Sequence, residues 1–147
     1  MGASAPIIKG KIMPSNTQAV GVAYSDPEFT TCYASQELGY ATGAQGTVTQ
    51  GTSKSTGVTL NKSAGQITMN GANLATLTNV TFTLTNNLIS VKDVIILNVG
   101  SGATSGAYNC WISSMSAGTC TVTLRNISGG DLAEAVVINF AIIHSAA

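Results

Sequence analysis

Between Gly46 and Met69, apolar and hydroxyl residues alternate in three short runs. Val48 lies between Thr47 and Thr49, Val58 and Leu60 flank Thr59, and Ile67 and Met69 flank Thr68. A period of two built on β-branched residues sends alternate side chains to opposite faces of a pleated strand, so each run predicts a strand with one buried face. The intervening segments, Gly51 to Ser55 and Asn61 to Gly65, are made of Gly, Ser, Thr, Asn and Lys with the single alanine Ala64, the composition of turns.

The same rhythm continues downstream in longer, more apolar segments. Asn79 to Thr85 points Val80, Phe82 and Leu84 one way and Thr81, Thr83 and Thr85 the other. Asp93 to Val99 is apolar on both faces, as a central or interface strand would be. Gly106 to Ser113 sets Tyr108, Cys110 and Ile112 against Asn109 and Trp111, and Gly118 to Arg125 sets Cys120, Val122 and Leu124 against a ladder of Thr119, Thr121 and Thr123. Ala135 to Ile143 ends the series, giving eight strands from Gly46 onwards. Helical period is nearly absent; Ala72 to Ala75 and Asp131 to Glu134, the latter with Asp131 as cap, are the two short helical turns expected. Closely spaced strands of this kind predict an all-β fold, an antiparallel two-sheet sandwich of about eight strands with jelly-roll topology favoured, over an immunoglobulin-type sandwich or a closed barrel.

Residues 1–44 differ. All three prolines, Pro6, Pro14 and Pro27, fall there, with three of the six acids and three of the four tyrosines, Tyr24, Tyr33 and Tyr40. Ile7 to Met13 and Gln18 to Tyr24 read as extended pieces. The segment is expected to be an irregular N-terminal arm that orders against a partner, with a mobile tail or the first part of the fold as the other readings. The division is therefore an arm over 1–44 and a β-sandwich domain over 45–147.

Only 8% of the residues are charged, six basic against six acidic. That balance argues against nucleic acid or an anionic membrane as partner, because both need clustered Lys and Arg. It also leaves little charge to keep a free monomer soluble and favours life in an assembly. Met1 to Gly10 does not have the pattern of a secretory signal, so the protein is expected to be made in the cytoplasm. Cys32, Cys110 and Cys120 show no CxxC spacing; Cys110 and Cys120 lie on neighbouring strands, which allows a disulfide, but buried free thiols are the favoured reading.

Chemistry is hard to find in this chain. His144 is the sole histidine and reads as incidental. No His, Cys and carboxylate set has ligand spacing, so neither metal nor cofactor is expected. Glu37 with Asp26, and Asp131 with Glu134, are the only near carboxylate pairs, and solvated turn acids account for both. Gly100-Ser101-Gly102 lacks the Lys or helix of a phosphate loop. The chain is expected not to be an enzyme. Trp111 is alone, and a tryptophan on a strand is more often core than ligand platform. In Ala135 to Ile143, Val136, Ile138, Phe140 and Ile142 form one apolar face, and Ala135, Val137, Ala141 and Ile143 form another, broken only by Asn139. A strand with two apolar faces needs a second cover, so Val137, Ala141 and Ile143, with Tyr24, Tyr33 and Tyr40 of the arm, are the candidate interface residues; the cover is either the arm or, preferably, another copy of the chain.

Several segments carry a resemblance. Gly46-Thr47-Val48-Thr49-Gln50, Thr52-Ser53-Lys54-Ser55-Thr56, Val58-Thr59-Leu60-Asn61-Lys62 and Gly65-Gln66-Ile67-Thr68-Met69 resemble a small β-domain recurring in virion proteins of tailed bacteriophages. Trp111-Ile112, Leu124-Arg125-Asn126, Ser128-Gly129-Gly130, Glu134-Ala135 and Asn139-Phe140-Ala141 extend the likeness over roughly residues 41–143. It implies a virion structural protein, foremost a capsid cement or decoration protein on the head shell, whose partners are its own copies, as a trimer, and the major capsid protein. The alternative is a tail-fibre or spike module that binds host-surface carbohydrate.

Overall fold

The computed structural model describes Thr31 and residues 33–145. The chain divides into two compact units, Met1–Glu37 and Leu38–Ala147, and the described residues fall almost wholly in the second. Tyr24 and the two extended pieces expected within the arm lie outside the described residues.

Eight strands follow a 3-10 turn at Thr42–Ala44: β1 (Gln45–Thr49), β2 (Val58–Thr59), β3 (Ala64–Thr68), β4 (Asn79–Thr85), β5 (Val94–Ser101), β6 (Tyr108–Ser116), β7 (Thr119–Asn126) and β8 (Val137–Ile143). They form two four-stranded sheets, sheet A in the order β1-β3-β8-β5 and sheet B in the order β2-β4-β7-β6. The all-β, two-sheet expectation holds, with β4 bounded as the alternation placed it.

Lateral order departs from expectation. β1 pairs parallel with β3, and β2 pairs parallel with β4; the other four pairings are antiparallel. An antiparallel sandwich of Greek keys has no place for parallel neighbours, so the jelly-roll topology favoured from strand count is not the order seen. The physical reason is connection length: β1 and β3, like β2 and β4, are separated by an intervening strand in the other sheet, and such a crossover returns the chain in the same direction. Only β6 and β7 form a tight hairpin, closed by Ala117 and by Gly118 at φ 77°, a left-handed conformation that glycine adopts without strain.

One core fills the space between the sheets. Sheet A contributes Ile67, Ile138, Phe140 and Ile142, and sheet B contributes Val58, Phe82, Leu84, Cys120, Val122 and Leu124. These are the inward members of the alternating sets, each worth roughly 1.5–3 kcal/mol when fully buried. Gly65 lets β1 and β3 approach: a Cβ there would lie 2.3 Å from the carbonyl oxygen of Gly46.

Buried polar side chains hold the loops to this core through hydrogen bonds. Asn86 Nδ2 donates to Lys62 O at 2.7 Å, and Asn126 Nδ2 donates to Leu74 O and Gly130 O at 3.0 and 2.8 Å. Gln50 Nε2 donates to Lys54 O and Thr56 O, while its Oε1 accepts from Asn70 N. The buried Lys54 donates from Nζ to Asn70 O and Glu134 O. Neither expected helical turn forms. Leu74 and Leu132 pair with each other instead, Leu74 N on Leu132 O at 2.9 Å and Leu132 N on Leu74 O at 3.1 Å. Asp131 caps no helix; its carboxylate accepts from Thr76 N at 2.8 Å and Asn73 Nδ2 at 3.2 Å.

Candidate interaction surfaces

Period-two alternation gives each sheet an outer face, and the two faces are built from different residues. On sheet A, register places Gln66, Asn139 and Asn98 in one row across β3, β8 and β5. Gln66 Nε2 donates to Asn139 Oδ1 at 3.1 Å, and Gly100 leaves room for the Asn139 amide, which a Cβ there would meet at 2.6 Å. Beside that polar row lies an apolar corner. Ile96 stands opposite Ala141, and Val94 opposite Ile143. Val94, Ile96 and Ile143 are 56%, 52% and 52% exposed.

The corner sits at an open edge. β5 pairs with β8 on one side, and no described strand pairs with its other side. Neither charge nor proline interrupts Val94–Ser101, and the one register shift, between Val99 and Ser101, lies at its far end. Natural edges are normally blunted by such devices, because an unprotected row of backbone N–H and C=O groups templates another strand. The core-facing residues of β5, Ile95, Leu97 and Val99, are only half-buried, as are Cys110, Ile112 and Met115 on β6. Apolar surface therefore continues from the outer face, around the β5 edge, into the mouth of the sandwich. Among the described strands, the segment whose two faces both read as apolar lies at the sheet edge, not at its centre.

The residues expected at an interface are thus partly gathered. Ala141 and Ile143 belong to the apolar corner. Val137, half-buried, is set apart from them by Asn139 and stands opposite Thr68 and Ser101. Tyr40 lies along the same sheet: its hydroxyl donates to Ile142 O, and it lines a groove of about 700 Å³ with Gln45, Ala64, Gln66, Asn139 and Ala141. Tyr33 is 91% exposed. Sequence reasoning passed over Val94 and Ile96; their signal was the two-faced apolar run from Asp93 to Val99.

Sheet B shows a hydroxyl surface. Across β6, β7 and β4, register aligns Asn109, Arg125 and Asn79, then Trp111, Thr123 and Thr81, then Ser114, Thr121 and Thr83, then Ser116, Thr119 and Thr85. Trp111 is on this outer face and takes no part in the core, against the expectation that a strand tryptophan packs inside. Thr123, directly opposite it, is 2% exposed and donates from Oγ1 to Ser113 Oγ at 2.9 Å. Ser113 occupies a register shift between Ile112 and Ser114, and bulges of this kind re-aim neighbouring side chains.

The titratable groups elsewhere tie segments together. Buried Asp93 accepts from Ser90 N, Ser145 N and the Nδ1 side of His144 at 2.8, 3.1 and 2.9 Å. The Ser90 backbone bond is the main cause holding its carboxyl below the usual range, helped by Ser145 and His144. His144 is therefore placed by Asp93 rather than incidental, but no hydroxyl bonds its other ring nitrogen among the described residues, so no nucleophilic triad is assembled there. Asp131 and Glu134 are not idle turn acids either. Glu134 takes the hydroxyl and N–H of Thr104, which lower its pKa, and burial lowers that of Lys54 while Glu134 opposes the shift. Tyr108 Oη is buried without a hydrogen-bond partner, and burial first, then the nearby Glu134, pushes its pKa up to about 12. Cys110 and Cys120 are free, with Cys110 opposite Leu124 and Cys120 opposite Met115; burial pushes the Cys120 thiol up to about 11, the behaviour of an inert core thiol.

Among the described residues, no cluster of three His, Cys, Asp or Glu side chains could hold a metal ion, and no helix is long and apolar enough to cross a membrane. Comparisons with protein-family models, with curated proteins and with solved structures found no match.

Proposed function

We propose that this chain is a non-enzymatic virion structural protein, a capsid cement or decoration component that docks on shell subunits and stabilises the head. The observation that carries the reading is the exposed apolar corner Val94, Ile96 and Ile143 beside the edge of β5 that pairs with no described strand. Such a surface fits a partner that adds a strand and covers the apolar side chains together. The resemblance of residues 41–143 to a bacteriophage virion domain supplies the kind of partner: the major capsid protein and further copies of this chain, as a trimer on the family expectation. Low charge on the chain agrees with a life in an assembly rather than free in solution.

The reading is tested on particles. Shells carrying the protein should withstand higher temperature and stronger osmotic shock than shells stripped of it, and Ile96→Lys should fail to bind stripped shells while remaining folded. Equal resistance of complete and stripped shells would remove the cement role. The tail-fibre or spike reading rests on a different observation, the placement of Trp111 on the outer face of sheet B.

A further inference from the structure

We infer that the outer face of sheet B, centred on Trp111 and Arg125, is a binding site for a carboxylate-bearing saccharide. Arg125 is the only charged side chain in the four aligned rows, and Trp111 the only aromatic one. They are diagonal neighbours, because Arg125 stands opposite Asn109 and Trp111 opposite Thr123 on adjacent strands about 4.8 Å apart. The row of Asn109, Arg125 and Asn79 is exposed. None of its three side chains makes a hydrogen bond or ion pair to another described residue. Elsewhere on the face Ser114 Oγ donates to Thr121 Oγ1 at 2.8 Å, and Thr123 bonds Ser113. Of the four rows, the only charged group and the only two amides thus lie beside the indole.

That combination selects a ligand class. The Trp111 indole, half-buried on this polar face, offers its remaining apolar surface to the C–H face of a sugar. A guanidinium with no partner among the described residues offers a planar fork that matches a carboxylate with two parallel hydrogen bonds. Two free amides add donors and acceptors for ring hydroxyls. Nucleic acid is disfavoured, because one arginine on the face cannot neutralise a run of phosphates. A protein partner would need an apolar centre, and this face has a single apolar side chain in four rows.

Because Trp111 is the sole tryptophan, its emission reports on this site alone. Tetramers of galacturonate and of mannuronate should be titrated into the full-length protein, with maltotetraose and polyacrylate alongside. The expected result is a saturable emission change with one or both acidic tetramers, and an affinity for maltotetraose lower by about tenfold or more, the worth of one charge-assisted pair. R125Q should bring the acidic tetramer down to the neutral level. W111A, followed by calorimetry, should abolish binding while the strand signal in circular dichroism is kept; if W111A does not fold, R125Q alone decides. The inference is overturned by unchanged emission with both acidic tetramers at millimolar concentration, by maltotetraose binding as tightly, or by polyacrylate competing as well as sugar. The site shares no residue with the apolar corner of sheet A. Shell binding by W111A and saccharide binding by Ile96→Lys therefore separate a failure here from a failure of the cement reading.

Discussion

Sheet A and sheet B are built by the same alternation, yet they turn opposite chemistries to the outside. Apart from Trp111 and Arg125, sheet B covers its outer face with threonine, serine and asparagine, groups that water satisfies. Sheet A leaves Val94, Ile96 and Ile143 about half exposed next to the side of β5 that no described strand pairs. Covering the remaining half of each would contribute about 1 kcal/mol per side chain on area alone, before any backbone bonds along β5. The contrast teaches that burial need, not strand geometry, distinguishes the two outer faces.

The contrast can be broken most directly through the core. Leu124 on β7 is fully buried, whereas Leu97 on edge strand β5 is half-buried. Leu124→Ala should cost about 3 kcal/mol in urea unfolding of the free protein, and Leu97→Ala about half as much. Equal costs would mean that the β5 side is as closed as the β7 side. If a partner adds to the β5 edge, as proposed, the two costs should converge in the assembled protein, because the added strand would complete the burial of Leu97.

A second comparison exchanges a charge between the faces. Ile96→Lys and Thr83→Lys both change exposed positions, so each should leave stability within about 0.5 kcal/mol. Only Ile96→Lys should weaken binding to shells, by about tenfold or more. Loss of binding by Thr83→Lys instead would move the docking face to sheet B.

The acid limb of stability probes the segments that flank both faces. Asp93, Asp131 and Glu134 have folded pKa values below their ordinary values of 3.8, 3.8 and 4.5. Their contribution is therefore complete above those ordinary values. It is lost as pH falls through them towards the lower folded values, because the unfolded chain takes up protons first. The urea midpoint should fall below about pH 4.5, and Asp93→Asn should lower the midpoint at pH 7 while flattening part of that fall. A midpoint that rises on acidification would contradict the hydrogen-bond assignments. The smallest effect belongs to sheet B: Thr121→Val removes the bond from Ser114 Oγ on a half-exposed surface and should cost about 0.5 kcal/mol or less.

Much of this architecture was legible in the residues themselves. The inward sets Val80-Phe82-Leu84, Cys120-Val122-Leu124 and Val136-Ile138-Phe140-Ile142 are the core, and the threonine ladders are outside, Thr123 excepted by its shielding. Alternation is a local property: once a strand forms, its pleat fixes which side chains share a face. The candidate surfaces were legible only in part. Ile143 and Ala141 could be named from β8, but their neighbours Ile96 and Val94 come from a strand some forty residues away, joined by register.

Lateral order was decided by tertiary structure alone. Nothing in Asp93–Val99 says whether its two apolar faces mean a central strand covered twice or an edge strand awaiting a partner. Parallel pairing of β1 with β3, Leu74 bridging Leu132, Asp93 holding His144 and Lys54 bonded between two backbone carbonyls all join residues distant in sequence. No period or spacing encodes such pairs. They are fixed when the two sheets close over one core, because only then does each buried N–H, carbonyl and charge have to find the particular partner that the packed chain brings within reach.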